Sequence, residues 1–525
     1  MSAGRAGALG VAAAALAYVV FSAGTRPPPP PEGTIDTIPL PSCTKDVRLS
    51  GRVFHVDPVR GSIAGDGSAA RPWRDLRSLV SGGLIGEYRR RLWRADRYAA
   101  SVTGRAPVTR LAERRGAVVR SGDTLLLADG DYGLVDLSGL ANAGFVTIAA
   151  APSANVRLSG LNLSGASHFV LRGLRIVGDA PASQAGFLAT TYAPGPHRAD
   201  NILLDNVEIG WTTRLAEADP ADFSARAPSG LQFGGDCLTL TNSHLHDLES
   251  GLNIYRARKV LVAGNAVTGV SVDGIQFSGR DLTIRDNAIF GQRPVPGRLH
   301  PDCMQGQLPE RQSSGPVMIE RNLCLRAPIR EPSQQRTDRF GWQGIVIFDG
   351  HWRDVTIRCN IVLPANQHGI ALYGATNSLI EHNTVFGNAG GRPSWIAALP
   401  AKDGRPSAGV RIRENRASAY LNAVIGAPLP PDAMLDALKV KRGDRALVTT
   451  LMQPLDGVVL ERNTWAPPQR VPGPLTRDPR FIWEPAGSLP EANSVAEALR
   501  QYPLPPACTE PEGAVSLPPA ALRVP

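Results

Sequence analysis

Lysine is almost missing from this chain. Of its 56 basic residues only Lys45, Lys259, Lys402, Lys439 and Lys441 are lysines, so the net charge of +9 is carried by arginine. No run of five or more cations occurs, and no aromatic-basic RNA-binding motif, which argues against a nucleic-acid partner. Charged residues are scarce at 20% against 43% hydrophobic ones, and that balance excludes wholesale disorder. The 54 glycines and 45 prolines leave little room for long helices. A basic balance without nucleic-acid motifs fits an acidic polymer such as a polysaccharide.

The N-terminus carries an apolar run from Ala6 to Ala23 behind Arg5, ending in Ser22-Ala23-Gly24. Residues 1–25 are expected to be a secretory signal or an uncleaved anchor, the chain's one route to a membrane, with the protein exported to the periplasm or beyond. Residues 26–50, with Pro27 to Pro31, form a proline-rich linker. Six cysteines suit an oxidising compartment. Cys43 and Cys508 lie outside the repeats and are the expected disulfide; Cys237, Cys303, Cys324 and Cys359 fall inside them and are expected as buried thiols.

What is abundant is a repeated phrase: apolar-x-apolar, one or two polar residues, then Asn. It ends at Asn206, Asn242, Asn265, Asn287, Asn322, Asn360, Asn383, Asn415 and Asn463, and several intervals are 22 or 23 residues. A fixed spacing of this size marks a stacked repeat. Alternating apolar and β-branched residues make the units strands. Asn tolerates the left-handed backbone of a tight corner, and its amide can bond the next Asn in the stack. The expected fold is all-β, a right-handed single-stranded parallel β-helix over residues 51–470, monomeric. Residues 85–120 are expected as a helical insertion capping the open end. A late insertion spans 428–452, and a tail of 471–525 packs on the solenoid.

Aligning the coils on their Asn corners places the strands "SGLNIY" from Ser250, "DGIQF" from Asp273, "DCMQGQ" from Asp302, "QGIVIF" from Gln343 and "HGIALY" from His368 one above another. Alternation sends Leu252, Ile275, Met304, Ile345 and Ile370 inward, and Asn253, Gln276, Gln305, Val346 and Ala371 outward. Ser250, Asp273, Asp302, Gln343 and His368 form a column at the strand entrances. Strands about 4.8 Å apart bring Asp273 and Asp302 to roughly 5 Å, too close for both to ionise without a cation or a shared proton. His300 precedes Asp302 by two residues in "LHPDCMQGQ", a stretch without metal-ligand spacing, phosphate loop or nucleophile elbow. Insertions at 211–230, 291–301 and 326–342 all precede these polar strands and would wall one face of a groove. Tyr255, Trp342, Phe348 and Tyr373 could stack on sugar rings, and Arg256, Arg298 and Arg339 could pair with carboxylates. His244 and His246 lie away from the groove and are expected to be structural.

The segments "FHVDPVRGSIAGDGSAARPWRDL" and "SGDTLLLADGDYGLVDLSGL", with the repeats that follow, resemble the pectate-lyase-like superfamily of exported β-helix proteins over Arg52 to Trp465. The resemblance implies a polysaccharide lyase, often with calcium and an Arg or Lys base. Asp273 and Asp302 would be the calcium ligands, while Lys259 sits in a turn away from the groove. In β-elimination a base takes the proton beside a uronate carboxylate, and C5 epimerisation shares that step. "HPD" resembles the Asp-Pro-His-Asp motif of mannuronan epimerases in a different order, so no residue is carried over. The expected function is thus a lyase or epimerase on an acidic polysaccharide, with Asp302, Asp273, His300 and His368 catalytic. Arg298, Gln276, Gln305, Asn253, Tyr255, Trp342 and Tyr373 would contact substrate. A glycoside hydrolase using Asp273 and Asp302, and a binding scaffold without turnover, are the alternatives.

Overall fold

The computed structural model describes residues 43, 51–92, 109–179, 186–193, 198–212, 223, 226–290, 301–308, 312–325, 342–364, 368–385, 394–401, 405–417, 419–420, 457–465 and 506–508. The N-terminal apolar segment and the 428–452 insertion lie outside this set, as do the linker apart from Cys43 and the tail apart from 506–508. Among the described residues no helix is long and apolar enough to cross a membrane.

Each coil has three strands, and strands of successive coils pair in parallel on three faces. The first face holds the polar strands, among them Asp302–Gln307, Gln343–Phe348 and His368–Tyr373. The second includes Gly235–Thr241, Val317–Glu320 and Val355–Arg358. Leu252–Ala263 and Ile275–Arg285 turn the corner between these two faces with a shift of register. The third face is a separate sheet of 12 short strands, from Gly130–Asp131 to Thr464–Trp465. On the first face Leu252, Ile275, Met304, Ile345 and Ile370 pair in the predicted order and are buried. They join one continuous apolar lumen running the length of the stack.

The asparagine ladder is real, but it starts later than expected. From Asn265 each side-chain amide donates to the carbonyl of the next ladder residue, Asn287, Asn322, Asn360, Asn383, Asn415 and Asn463, at 2.9–3.0 Å. Each ladder carbonyl also accepts a backbone N–H from the coil before it. The left-handed residue is the one before the Asn: Gly264, Asp286, Arg321, Cys359, His382, Glu414 or Arg462. Asn206 and Asn242 are corrections to the expected ladder. They occupy that left-handed slot themselves, at φ 52° and 51°, so the inward slot passes to Val207 and Ser243. Ser243 ends the ladder by giving its backbone N–H to Asn265.

The capping insertion is not helical where it is described. Tyr88–Leu92 and Thr109–Glu113 form an antiparallel hairpin, and Tyr88 also pairs with Ala141 of the adjoining coil. Gly86 at φ 87° interrupts any helix entering this segment. The edge of the stack offers backbone groups that need partners, and a hairpin supplies them. Among the described residues the one helix nearby is the six-residue Leu76–Ser81, capped by Asp75.

All six cysteines are paired, which corrects both the Cys43–Cys508 bridge and the free thiols. The bridges are Cys43–Cys237, Cys303–Cys324 and Cys359–Cys508. Cys237 on the second face and Cys359 at the corner that ends it lie four coils apart, at least about 19 Å at strand spacing. Cys43 and Cys508, each held at one of those positions, cannot meet, because bridged Cα atoms lie within about 7 Å. The Cys303–Cys324 bridge has a local cause. Along the corner into the first face the residue before the inward ladder is Gly251, Gly274, Gly344 or Gly369. A Cβ there would come within 2.3–2.5 Å of Val267, Ile289, Val362 or Val385 on the third face. Cys303 takes that slot in the coil whose third-face residue is Cys324, and a bond replaces the clash.

Candidate active site

The outward ladder of the first face forms a directed chain of amides. Asn253 donates through Nδ2 to Gln276 Oε1. Gln276 Nε2 donates to Gln305 Oε1 at 2.8 Å and to Gln307 Oε1 at 3.3 Å. Gln305 Nε2 then donates to Asp302 Oδ2 at 2.7 Å. Every dipole points its positive end towards Asp302, and bonds aligned this way reinforce one another. In the entrance column the backbone N–H of Asp302 donates to Asp273 Oδ1 at 3.0 Å.

Both carboxyls are enclosed, Asp302 at 0% exposure and Asp273 at 4%. Burial, helped by the charge of Glu249, raises Asp273 to about 7 against the donated N–H of Asp302. Burial and the neighbouring Asp273 charge push Asp302 well above the usual carboxylate range, and the Gln305 amide only partly opposes them. The pair therefore holds a proton near neutrality, the condition for a group that gives and takes protons. Tyr373, two coils further on and half-buried, has its phenol raised by burial and then by the Asp302 charge, so it stays protonated. His368 packs its ring 5.0 Å from Trp395 and 6.2 Å from Tyr373.

Calcium fits these two carboxylates poorly. It takes six to eight oxygen ligands, whereas Asp302 Oδ2 and Asp273 Oδ1 already accept N–H groups in an enclosed site. Among the described residues no group of three His, Cys, Asp or Glu side chains is arranged to hold a metal.

The remaining candidates divide. Gln276 and Asn253 are half-buried and Tyr255 is 39% exposed, all on the outward side. Trp342 is a correction: at 2% exposure it belongs to the lumen core and presents no face to a ligand. His300, Arg298 and Arg339 lie outside the described residues. Two features were missed. The polar ladder continues before Asn253 through Asn162, Thr190 and Gln232, and "GLQF" from Gly230 repeats the phrase "GIQF" from Gly274. Tyr192 stands beside Tyr255, a contact no sequence spacing announces.

His244 and His246 sit on the third face, away from this site. His246 bridges Asp247 at 2.8 Å and Glu208 at 3.1 Å, and Arg175 clasps Glu208. Burial disfavours the His246 charge, yet Asp247 and Glu208 override it and raise the ring to about 9. Burial likewise opposes ionised Glu208, but His246 and Arg175 hold it down to about 2. The histidine's contribution to stability is complete below its ordinary value of 6.5 and is lost as pH rises through about 9. The glutamate's is complete above 4.5 and is lost as pH falls through about 2. Between pH 6.5 and 9 the urea midpoint of the wild type is expected to fall more than that of His246→Gln; parallel curves would remove the network from the account.

Residues 159–395 match the family model described as right handed beta helix region. No curated protein matches the chain in sequence. Among solved structures the chain is similar to the A-module of a mannuronan C-5 epimerase from Azotobacter vinelandii, at 16% identity and TM-score 0.39, over 80% of this chain and 98% of that one. It is also similar to pectate lyase Pel9A, at 14% identity and TM-score 0.31, over 73% and 82%. A third is a lacto-N-biosidase from Eubacterium ramulus, at 12% identity and TM-score 0.38, over 79% and 68%. These values concern fold and carry no argument about activity. With parallel pairing on three faces around one lumen, the fold of this chain is a right-handed parallel β-helix.

Proposed function

We propose that this protein is exported and acts on an acidic, uronate-containing polysaccharide by β-elimination or C5 epimerisation, with Asp302 and Asp273 as the proton-transfer centre. The observation that carries the reading is the amide chain Asn253–Gln276–Gln305 ending on a buried carboxyl pair that holds a proton near neutrality. In both reactions the pair takes the proton on the carbon beside the uronate carboxylate. In elimination that electron pair becomes the new carbon–carbon double bond and the glycosidic oxygen leaves, receiving a proton from Tyr373; in epimerisation the pair keeps the proton it took and Tyr373 gives one to the opposite face of the same carbon. Export is supported by three disulfides, which persist in oxidising compartments. Hydrolysis is less well supported. It needs two carboxyls flanking the scissile bond, whereas here one backbone N–H bonds the other carboxylate from the same side.

The test is incubation with a panel of acidic polysaccharides. Ultraviolet absorbance would report unsaturated uronate, and proton NMR would report inverted C5 centres. Appearance of either is the expected result. Reducing ends without unsaturation would move the protein to the hydrolases, and binding without any product would leave a scaffold.

A further inference from the structure

Charge and exposed apolar surface collect at the same end of this molecule. Residues 51–123, the first rung and the cap inserted before the second, carry 15 arginines and no lysine against 7 acidic residues. Their net charge of +8 is nearly all of the chain's +9, so the other coils together are close to neutral. Every described acid in this stretch except exposed Glu113 is engaged by its neighbours. Asp57, Asp66 and Asp123 pair with Arg60, Arg71 and Arg52, Asp75 caps the helix Leu76–Ser81, and Glu87 accepts from Ser121 and the Ala143 N–H. Arg74, Arg77, Arg89, Arg115 and Arg120 are exposed and make no ion pair among the described residues. The same stretch holds exposed Val53, Val59, Ile63 and Leu111, with Val59 at 85% and Ile63 at 71%. Exposed Leu134 lies on the strand that packs against the helix. Among the other described residues only Tyr255 and Val459 are large, apolar and exposed. These groups gather round the helix: the loop bearing Val59 and Ile63 folds on Trp73 and runs into it. Arg114 donates to the Val80 carbonyl at 3.1 Å, which sets the turn bearing Arg115 beside the helix end.

We infer that the N-terminal end of the stack docks on an anionic lipid bilayer, a membrane contact separate from the apolar run Ala6 to Ala23. The guanidiniums pair with headgroup phosphates, and the apolar side chains enter the boundary between headgroups and acyl chains. An acidic polysaccharide would satisfy the arginines, but it gives no reason for Val59 and Ile63 to stand exposed beside them. The surface is also remote from the carboxyl pair. Six steps of paired strands separate Asp136 from Gln305, roughly 29 Å at strand spacing, so a docked molecule keeps its groove open. The inference stands independently of the activity proposed above.

Vesicle sedimentation tests this with the full chain, on phosphatidylcholine alone and on phosphatidylcholine mixed equally with phosphatidylglycerol. At low ionic strength the wild type is expected to bind the mixed vesicles about a hundredfold more tightly, at about fivefold per arginine over three arginines. Added salt should remove the difference. Binding through Ala6 to Ala23 is apolar, so it contributes to both vesicles and drops out of the comparison. The triple variant Arg74→Glu, Arg77→Glu, Arg115→Glu should bind both vesicles alike while keeping the wild-type circular dichroism. Ile63→Ser should weaken binding to the mixed vesicles roughly fivefold, the size of a partly buried apolar side chain, and leave the salt dependence as it was. Equal affinity of the wild type for the two vesicles would overturn the inference without recourse to a variant. A triple variant that keeps the preference would overturn it too, because the preference would then lie elsewhere in the chain. Affinity electrophoresis in gels containing alginate or polygalacturonate identifies the other occupant. Retardation lost in the triple variant, with vesicle binding unchanged, would assign this surface to an acidic polymer and overturn the bilayer.

Discussion

Asp302→Asn is expected to lower turnover on the responsive polysaccharide about a thousandfold, the scale of a lost proton-transfer group. The amide has the volume of the carboxyl and keeps an oxygen for the Gln305 N–H, so the ladder should remain intact. Unchanged far-ultraviolet circular dichroism and unchanged gel retardation would show that binding survives while chemistry is lost. Near-wild-type turnover would remove Asp302 from the mechanism. The companion Asp273→Asn has a signature in stability. A carboxyl raised by burial contributes fully below its ordinary value of 3.8, and that contribution is lost as pH rises through about 7. Asp273→Asn should therefore match the wild type near pH 4 and exceed it in urea midpoint at pH 8. Equal midpoints at both pH values would contradict a buried, proton-holding pair.

The largest effect on stability is expected from Asn322→Ala, about 4 kcal/mol. Four buried hydrogen bonds end on this side chain: its carbonyl accepts the backbone and side-chain N–H of Asn287, and its amide donates to Ile284 and Asn360. Each contributes on the order of 1 kcal/mol, more where a partner is left without water. Asn242→Ala, in the left-handed slot outside the ladder, loses a bond to Asp205 and takes on a modest backbone cost, in all about 2 kcal/mol. Urea unfolding of both variants checks the ranking; a smaller loss at Asn322 would deny the ladder its stabilising role.

The architecture was legible because a stacked coil repeats its requirements. Inward Leu252, Ile275 and Met304 and outward Asn253, Gln276 and Gln305 follow from alternation once the coils are aligned, and their register is as predicted. What escaped depends on contacts between coils. Asn206 and Asn242 end the same phrase as Asn265, yet sit one residue earlier in the corner. Disulfide partners depend on how far apart Cys237 and Cys359 are stacked. Trp342 reads as a groove aromatic, but its place is decided by the side chains around it in the lumen. The segment after Gly86 is basic and amphipathic enough for a helix, and the open sheet edge at Leu140–Ala141 recruits it as a strand.

The two terminal bridges also determine how the molecule would respond to being stretched. A pull applied at its ends passes from Cys43 directly to Cys237 and leaves from Cys359 through Cys508. The coils before Cys237 and those after Cys359 then hang slack, outside the line of tension. Only the middle of the stack, which holds Asp273 and Asp302, would feel the force. With the bridges reduced, the same pull would peel the solenoid from its ends and reach that middle last.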